Sequence, residues 1–77
     1  MLDIDFGYVN IKLADLMKEQ GISINKLAFR AEMQRTQLKS YMRNDVQRLD
    51  IAVLARLCYA LGCSLDDLLE YIPPDSR

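Results

Sequence analysis

Arg35, Thr36, Lys39, Ser40 and Arg43 are the residues of this chain whose types and spacing most invite a chemical reading. At about 100° per residue, a helix would gather them on an arc of roughly 140°. Leu38, Tyr41 and Met42 would then fall on the opposite side, available for burial. Two guanidinium groups, an ammonium and two hydroxyls hold and orient an anion or a base edge. Arg35 can grip a guanine edge or a phosphate through two hydrogen bonds. Lys39 and Arg43 suit phosphates, and the short Thr36 and Ser40 keep the face low enough for close approach. The same pattern also describes a solvated polar face, so its meaning depends on what surrounds it.

Other chemistries lack their residues. The chain has no histidine and two cysteines, Cys58 and Cys63. A structural zinc site needs about four N or S ligands, so neither a metal nor another cofactor is expected. Cys58 falls in an apolar helical pattern and reads as a small buried hydrophobe. Asp66, Asp67 and Glu70 read as carboxylates complementing a helix N-terminus, and Lys26 with Arg30 as a solvated edge. With no glycine-rich phosphate loop either, an enzyme is not expected.

The 77 residues suffice for one small domain, and 51% are apolar, enough for a core of modest stability unless the chain oligomerises. The formal net charge of -1 conceals an asymmetry. Residues 23–48 contain six basic and two acidic side chains, whereas the remainder contains four basic and nine acidic. A basic centre between acidic ends can steer one face toward an anion. No apolar run approaches the ~18 residues of a membrane span, and no signal peptide is evident. The expected location is a reducing cytoplasm, away from membranes.

Five helical segments would position these residues. The first spans residues 11–20, with Asn10 as N-cap and Gly21 as stop. Ser23 caps the second, "INKLAFRA", and the third, "RTQLKSYMR", closes at Asn44. Asp50 caps "IAVLARLCYAL", where Leu54, Leu57, Cys58 and Leu61 follow a helical spacing until Gly62. Ser64, answered by Asp67, caps a last helix "LDDLLEYI", which Pro73 and Pro74 stop. "DIDFGYV" near the N-terminus reads as a short strand, and "DVQRL" at 45–49 as an extended segment that could pair with it. The second and third segments, joined by "EMQ", form a helix-turn-helix unit over about 24–43, with Met33 placed to lock the turn. The domain spans 1–77, with an N-terminal arm at 1–9 and a C-terminal tail at 73–77.

"SINKLAFRAEMQRTQLKSYMRND", followed by "LDIAVLARLCYALGCSLDDLLEY", resembles the Cro/repressor-type (XRE, lambda-repressor-like) helix-turn-helix family, in its short single-domain branch. The resemblance implies an all-α, compact five-helix fold, here with a short N-terminal strand. It places Arg35, Thr36, Lys39 and Ser40 where the family reads bases in the major groove. It places Ser23, Asn25, Gln34 and Arg43 against the DNA backbone. The chain departs from the family at the turn, where Glu32 replaces the usual Gly. Gln34 stands at the Ser or Thr cap of the third helix, Arg35 at the usual Gln, and Asn44 at the closing Gly. The implied function is sequence-specific double-stranded DNA binding in transcription regulation, as a repressor. A homodimer follows because a single module covers little DNA. Phe6, Tyr8, Val9, Tyr71 and Ile72 could form its interface or pack on their own core. The alternative is a protein-binding module on the same fold (an antitoxin, antirepressor or adaptor), which the acidic termini favour.

Overall fold

The structure, a computed structural model, describes residues 4–76. Residues 1–3 of the expected arm and residue 77 of the tail lie outside the described residues. In chain order the elements are β1 (Tyr8–Ile11), α1 (Leu13–Gln20), α2 (Ile24–Ala31), α3 (Arg35–Met42), α4 (Ile51–Leu61), α5 (Leu65–Leu68) and β2 (Leu69–Ile72). A single 3-10 turn, Pro74–Ser76, follows.

Leu13, Leu27, Leu38, Leu57 and Leu68 are the largest fully buried side chains, and each comes from a different helix. Ile11, Met17, Met33, Tyr41, Val53 and Leu61 complete the buried cluster with Ala31. Leu54 and Cys58 are only half-buried, so the expectation of a buried Cys58 is corrected: it packs against the core from its edge. The amphipathic stripe of α4 is centred one residue earlier, on Val53, Leu57 and Leu61.

Helix ends follow local rules closely. Ser23, Asp50 and Ser64 cap α2, α4 and α5 with their side chains, and Ser64 with Asp67 forms a reciprocal capping box. Four helices close in the same way, with a left-handed residue followed by a main-chain bond back to the last turn. Gly21 and Gly62 serve α1 and α4, but Glu32 (φ 54) and Asn44 (φ 59) serve α2 and α3. The bonds run from the N–H of Ile22 to Met17, Met33 to Ala28, Asp45 to Ser40 and Cys63 to Cys58.

The expected all-α fold is corrected in one respect, since the two ends of the chain form an antiparallel sheet. Tyr8 pairs with Ile72, Val9 with Tyr71, Asn10 with Glu70 and Ile11 with Leu69. The N-terminal strand is present, but its partner is not 45–49, which contains no strand. The last helix stops at Leu68, and "LEYI" is extended instead of helical. Pro73 disfavours helical geometry at Ile72, and the aromatic and branched residues of this segment suit a pleated surface. Pairing with β1 then satisfies its backbone. The sheet also displaces the first helix start: Asn10 bonds across the sheet to Glu70, and Lys12, with its N–H on the Leu68 carbonyl at 2.7 Å, becomes the N-cap.

Asn44 joins the sheet to the end of α3. Its amide oxygen accepts the Ile11 N–H at 2.6 Å, and its amide nitrogen donates to the Ile11 carbonyl at 3.2 Å. The side chain thus behaves as one residue of a third strand. Asn44→Ala is expected to cost about 2–3 kcal/mol in urea unfolding, from two lost hydrogen bonds and left-handed strain. Asn44→Gly, which relieves the strain, should cost about 1 kcal/mol less. A second outcome concerns pH. The Ser64 main-chain N–H, and then its hydroxyl, hold the Asp67 carboxyl below its ordinary value of 3.8. A depressed folded-state value gives stability that is present above 3.8 and lost as pH falls through the lower folded value. Asp67→Asn should therefore make the acid limb of the stability curve shallower below pH 3.8, measured by thermal melts across a pH series.

Candidate nucleic-acid interface

The helix α3 is fixed from behind. Leu38 is fully buried and Tyr41 nearly so, and Met42 packs against the same cluster. With that side anchored, Arg35, Thr36, Lys39 and Arg43 are exposed and Ser40 is half-buried. The sequence-derived face therefore exists as one surface.

Its members are already partly connected. The Arg35 guanidinium donates through Nη1 to Asn25 Oδ1 at 3.2 Å, joining α3 to the first turn of α2. This bond holds the long side chain across the gap between the helices while leaving other N–H groups free to meet a ligand. Ser40 Oγ donates to the Thr36 carbonyl at 3.3 Å, a bond that a better acceptor could displace. Ser23 Oγ accepts the Lys26 N–H at 3.1 Å and keeps its own proton for donation. The first main-chain N–H groups of α2 emerge beside Ser23, where helix geometry leaves them without intrahelical partners. Gln34 is exposed at the N-cap of α3 and makes no side-chain capping bond. Arg43, expected inside α3, is its C-cap, with its side chain exposed.

The turn that sets the α2–α3 angle rests on two contacts. Met33 is buried and its N–H bonds the Ala28 carbonyl at 3.0 Å. From α4, Arg56 Nη1 donates to the Glu32 carbonyl at 3.0 Å. Sequence reasoning missed Arg56, and no local pattern signals it, because its partner lies 24 residues away. Glu32 holds the left-handed turn despite its Cβ.

Burial, followed by the nearby Cys58, raises the Cys63 thiol above its ordinary value, the opposite of nucleophilic activation. Among the described residues, no group of three or more His, Cys, Asp or Glu could hold a metal ion. Among the same residues, no helix is long and apolar enough to cross a membrane.

A paired α2–α3 unit with a buried hinge, an exposed basic helix and a third helix bracing the turn defines a helix-turn-helix DNA-binding domain. Residues 12–74 match the Cro/C1-type HTH DNA-binding domain, and the chain belongs to this family. Among solved structures it is similar to SinR, the master regulator for biofilm formation, in complex with DNA. The identity is 28% and the TM-score 0.65, covering 70% of this chain and 86% of SinR. It is also similar to the clp gene regulator ClgR from C. glutamicum, at 25% identity and TM-score 0.64, covering 71% and 70% of the two chains. The hypothetical transcription factor NHTF from Neisseria shares the fold at 20% identity and TM-score 0.65, over 100% of this chain and 93% of that one. Among curated proteins, none matches the chain.

The strained turn and the uncapped helix make a direct prediction. Glu32→Gly should stabilise the domain by about 0.5–1 kcal/mol by relieving left-handed strain. Gln34→Thr should add about 1 kcal/mol by capping α3. Both should appear as higher urea midpoints with an unchanged m value, and a lower midpoint for Glu32→Gly would show that the added freedom of the unfolded chain outweighs the relieved strain.

Proposed function

We propose that the chain is a sequence-specific, double-stranded DNA-binding transcription regulator that acts as a repressor and binds as a homodimer. The observation that carries this reading is the exposed row Arg35, Thr36, Lys39 and Arg43 on a helix whose other side is locked by Leu38 and Tyr41. In this reading α3 enters the major groove, which is wide enough for a helix. Arg35 grips a guanine edge, steadied by Asn25. The Thr36 methyl meets a thymine methyl, and Lys39 and Ser40 reach neighbouring bases or phosphates. Ser23, Asn25, Gln34 and Arg43 hold the sugar-phosphate backbone and set the register. Repression requires nothing more than occupancy of a promoter, since a bound dimer blocks access sterically.

The protein-binding alternative draws support from the acidic termini and from an open apolar groove lined by Ile51, Leu54, Ala55, Cys58 and Leu65. Salt separates the two readings. Phosphate contacts release counterions, so DNA affinity falls steeply as salt rises, whereas an apolar protein interface changes little.

The test is a binding selection from a random double-stranded DNA pool at low and moderate salt. An enriched inverted repeat is expected. On the selected site, Arg35→Ala should cost about 1–3 kcal/mol and relax preference at one base pair. Asn25→Ala should relax the same position by less. Lys39→Ala should weaken all sequences alike and lower the salt slope by about 1 if it meets a phosphate. Absence of binding even at low salt would sink the DNA reading.

A further inference from the structure

The sheet formed by β1 and β2 has one side that begins in the core and ends in solvent. Ile11 and Leu69 pair at its inner end, Ile11 buried and Leu69 packed on the core cluster. Strand residues two apart share a side, so the next pair outward on that side is Val9 with Tyr71. These two are 51% and 61% exposed. The core-facing surface therefore overhangs the helical layer.

The overhang is ordered. Tyr71 donates its hydroxyl to the Phe6 carbonyl at 2.6 Å, fastening the arm beyond β1. Gly7, at φ 82, permits this: a Cβ there would collide with the Ile72 carbonyl oxygen and come within 3.1 Å of the Tyr71 hydroxyl. Phe6 adds a further ring at 74% exposure. The ribbon lengthens the molecule. Its radius of gyration is 13.6 Å, with extents of 46 × 21 × 18 Å, whereas a compact domain of this length would have a radius of about 11.5 Å.

The edges of the ribbon are blunted against strand addition at several positions. Because the Ile11 N–H points to Asn44, its main-chain groups face away from β2. In an antiparallel ladder, outward groups recur at every second residue, which makes Gly7 and Val9 the others on this edge. The Gly7 N–H is held by Asp5 Oδ1 at 2.9 Å. On β2 the corresponding position beyond Tyr71 is Pro73, which has no N–H. These blocks, beside the exposed Val9 and Tyr71, favour docking on the flat of the ribbon.

We propose that this overhanging face, centred on Val9 and Tyr71 with Phe6 at its rim, is where a second copy of the chain docks, the two faces meeting about a two-fold axis. The proposal rests on the reading of the chain as a dimeric DNA reader. Within the paired strands, the face carries no charged residue. The one charge in the strands, Glu70, lies on the other side with Asn10. A two-fold copy thus brings no like charges together at the centre of the contact. The acidic residues around it, Asp5, Glu70 and Asp75, turn the surface away from phosphate. Phe6, Val9 and Tyr71 together expose roughly 300–400 Å², the size of the largest apolar patch on a typical monomer, which is often a functional one. That area supplies the apolar centre of the ~800 Å² each partner contributes to a standard interface. Asn44 ties β1 to the chain two residues beyond the end of α3, so docking through the ribbon would also set the separation and tilt of the two recognition helices.

The test is sedimentation equilibrium of the whole chain without DNA, for the wild type, Val9→Lys, Val9→Thr and Ile51→Lys, with circular dichroism as the check on folding. The wild type and Ile51→Lys are expected to be dimers, and Val9→Lys a folded monomer. Val9→Thr, which keeps shape and strand preference, should raise the dimer Kd about tenfold by burying an unpartnered hydroxyl. A monomeric wild type, a Val9→Lys dimer, or a dimer lost only in Ile51→Lys would overturn the proposal. If Val9→Lys does not fold, an unchanged Kd for Val9→Thr would overturn it equally. A ribbon dimer that enriches no DNA would leave this interface standing and sink the DNA reading, whereas an enriched site bound by a Val9→Lys dimer would do the reverse.

Discussion

Five leucines, one from each helix, meet at the centre of this domain with no solvent exposure, and every other feature is hung from that contact. In a chain of 77 residues the stability to be expected is on the order of 4–12 kcal/mol. A single large-to-small change in such a cluster costs about 2–5 kcal/mol. The centre thus holds the helices in place with little to spare. Leu38 is its contribution from α3, and that one side chain decides which face of α3 is turned outward. The basic row is exposed because the leucine is buried.

Around this centre, α3 is bracketed by two left-handed residues that carry a Cβ, Glu32 before it and Asn44 after it. Each costs something that glycine would not, yet the two differ in what they return. The Asn44 side chain completes the outer edge of β1 and couples the sheet to the end of α3. At Glu32 it is the main chain that is used, through Arg56, and the side chain stays exposed. Strain at Asn44 therefore has a structural counterpart, whereas at Glu32 it sits in the turn before the basic face of α3, where an exposed acidic group offsets part of that positive charge.

The charge distribution follows the same division. The basic residues concentrate in the helix-turn-helix, and the acidic ones in the segments that form or flank the sheet. The two ends of the chain, which carry like charge, are nevertheless brought together in one ribbon, because backbone pairing and the packing of Ile11 and Leu69 outweigh a weak, well-screened repulsion between exposed groups. The outcome is a polarised molecule with a cationic helix on one part of its surface and an apolar ribbon with acidic neighbours on another.

Much of the helical architecture was legible because its determinants are local. Ser23, Asp50 and Ser64 cap where their side-chain oxygens predict, Gly21 and Gly62 end helices, and apolar spacing finds four of the five central leucines with their faces. The composition of the α3 face was legible for the same reason, since a helix converts spacing directly into direction. What the tertiary structure alone decided were the matters in which two distant segments compete for the same backbone groups. "LEYI" is apolar and follows a capped turn, so it reads as helix until β1, 60 residues away, takes its hydrogen bonds. The start of α1, the role of Asn44 in the sheet, the bracing of Glu32 by Arg56 and the bond from Arg35 to Asn25 belong to the same class. Periodicity reports which face of an element is apolar, but the partner of an extended strand or a long polar side chain is chosen by proximity, and proximity exists only after the helices have closed on their common centre.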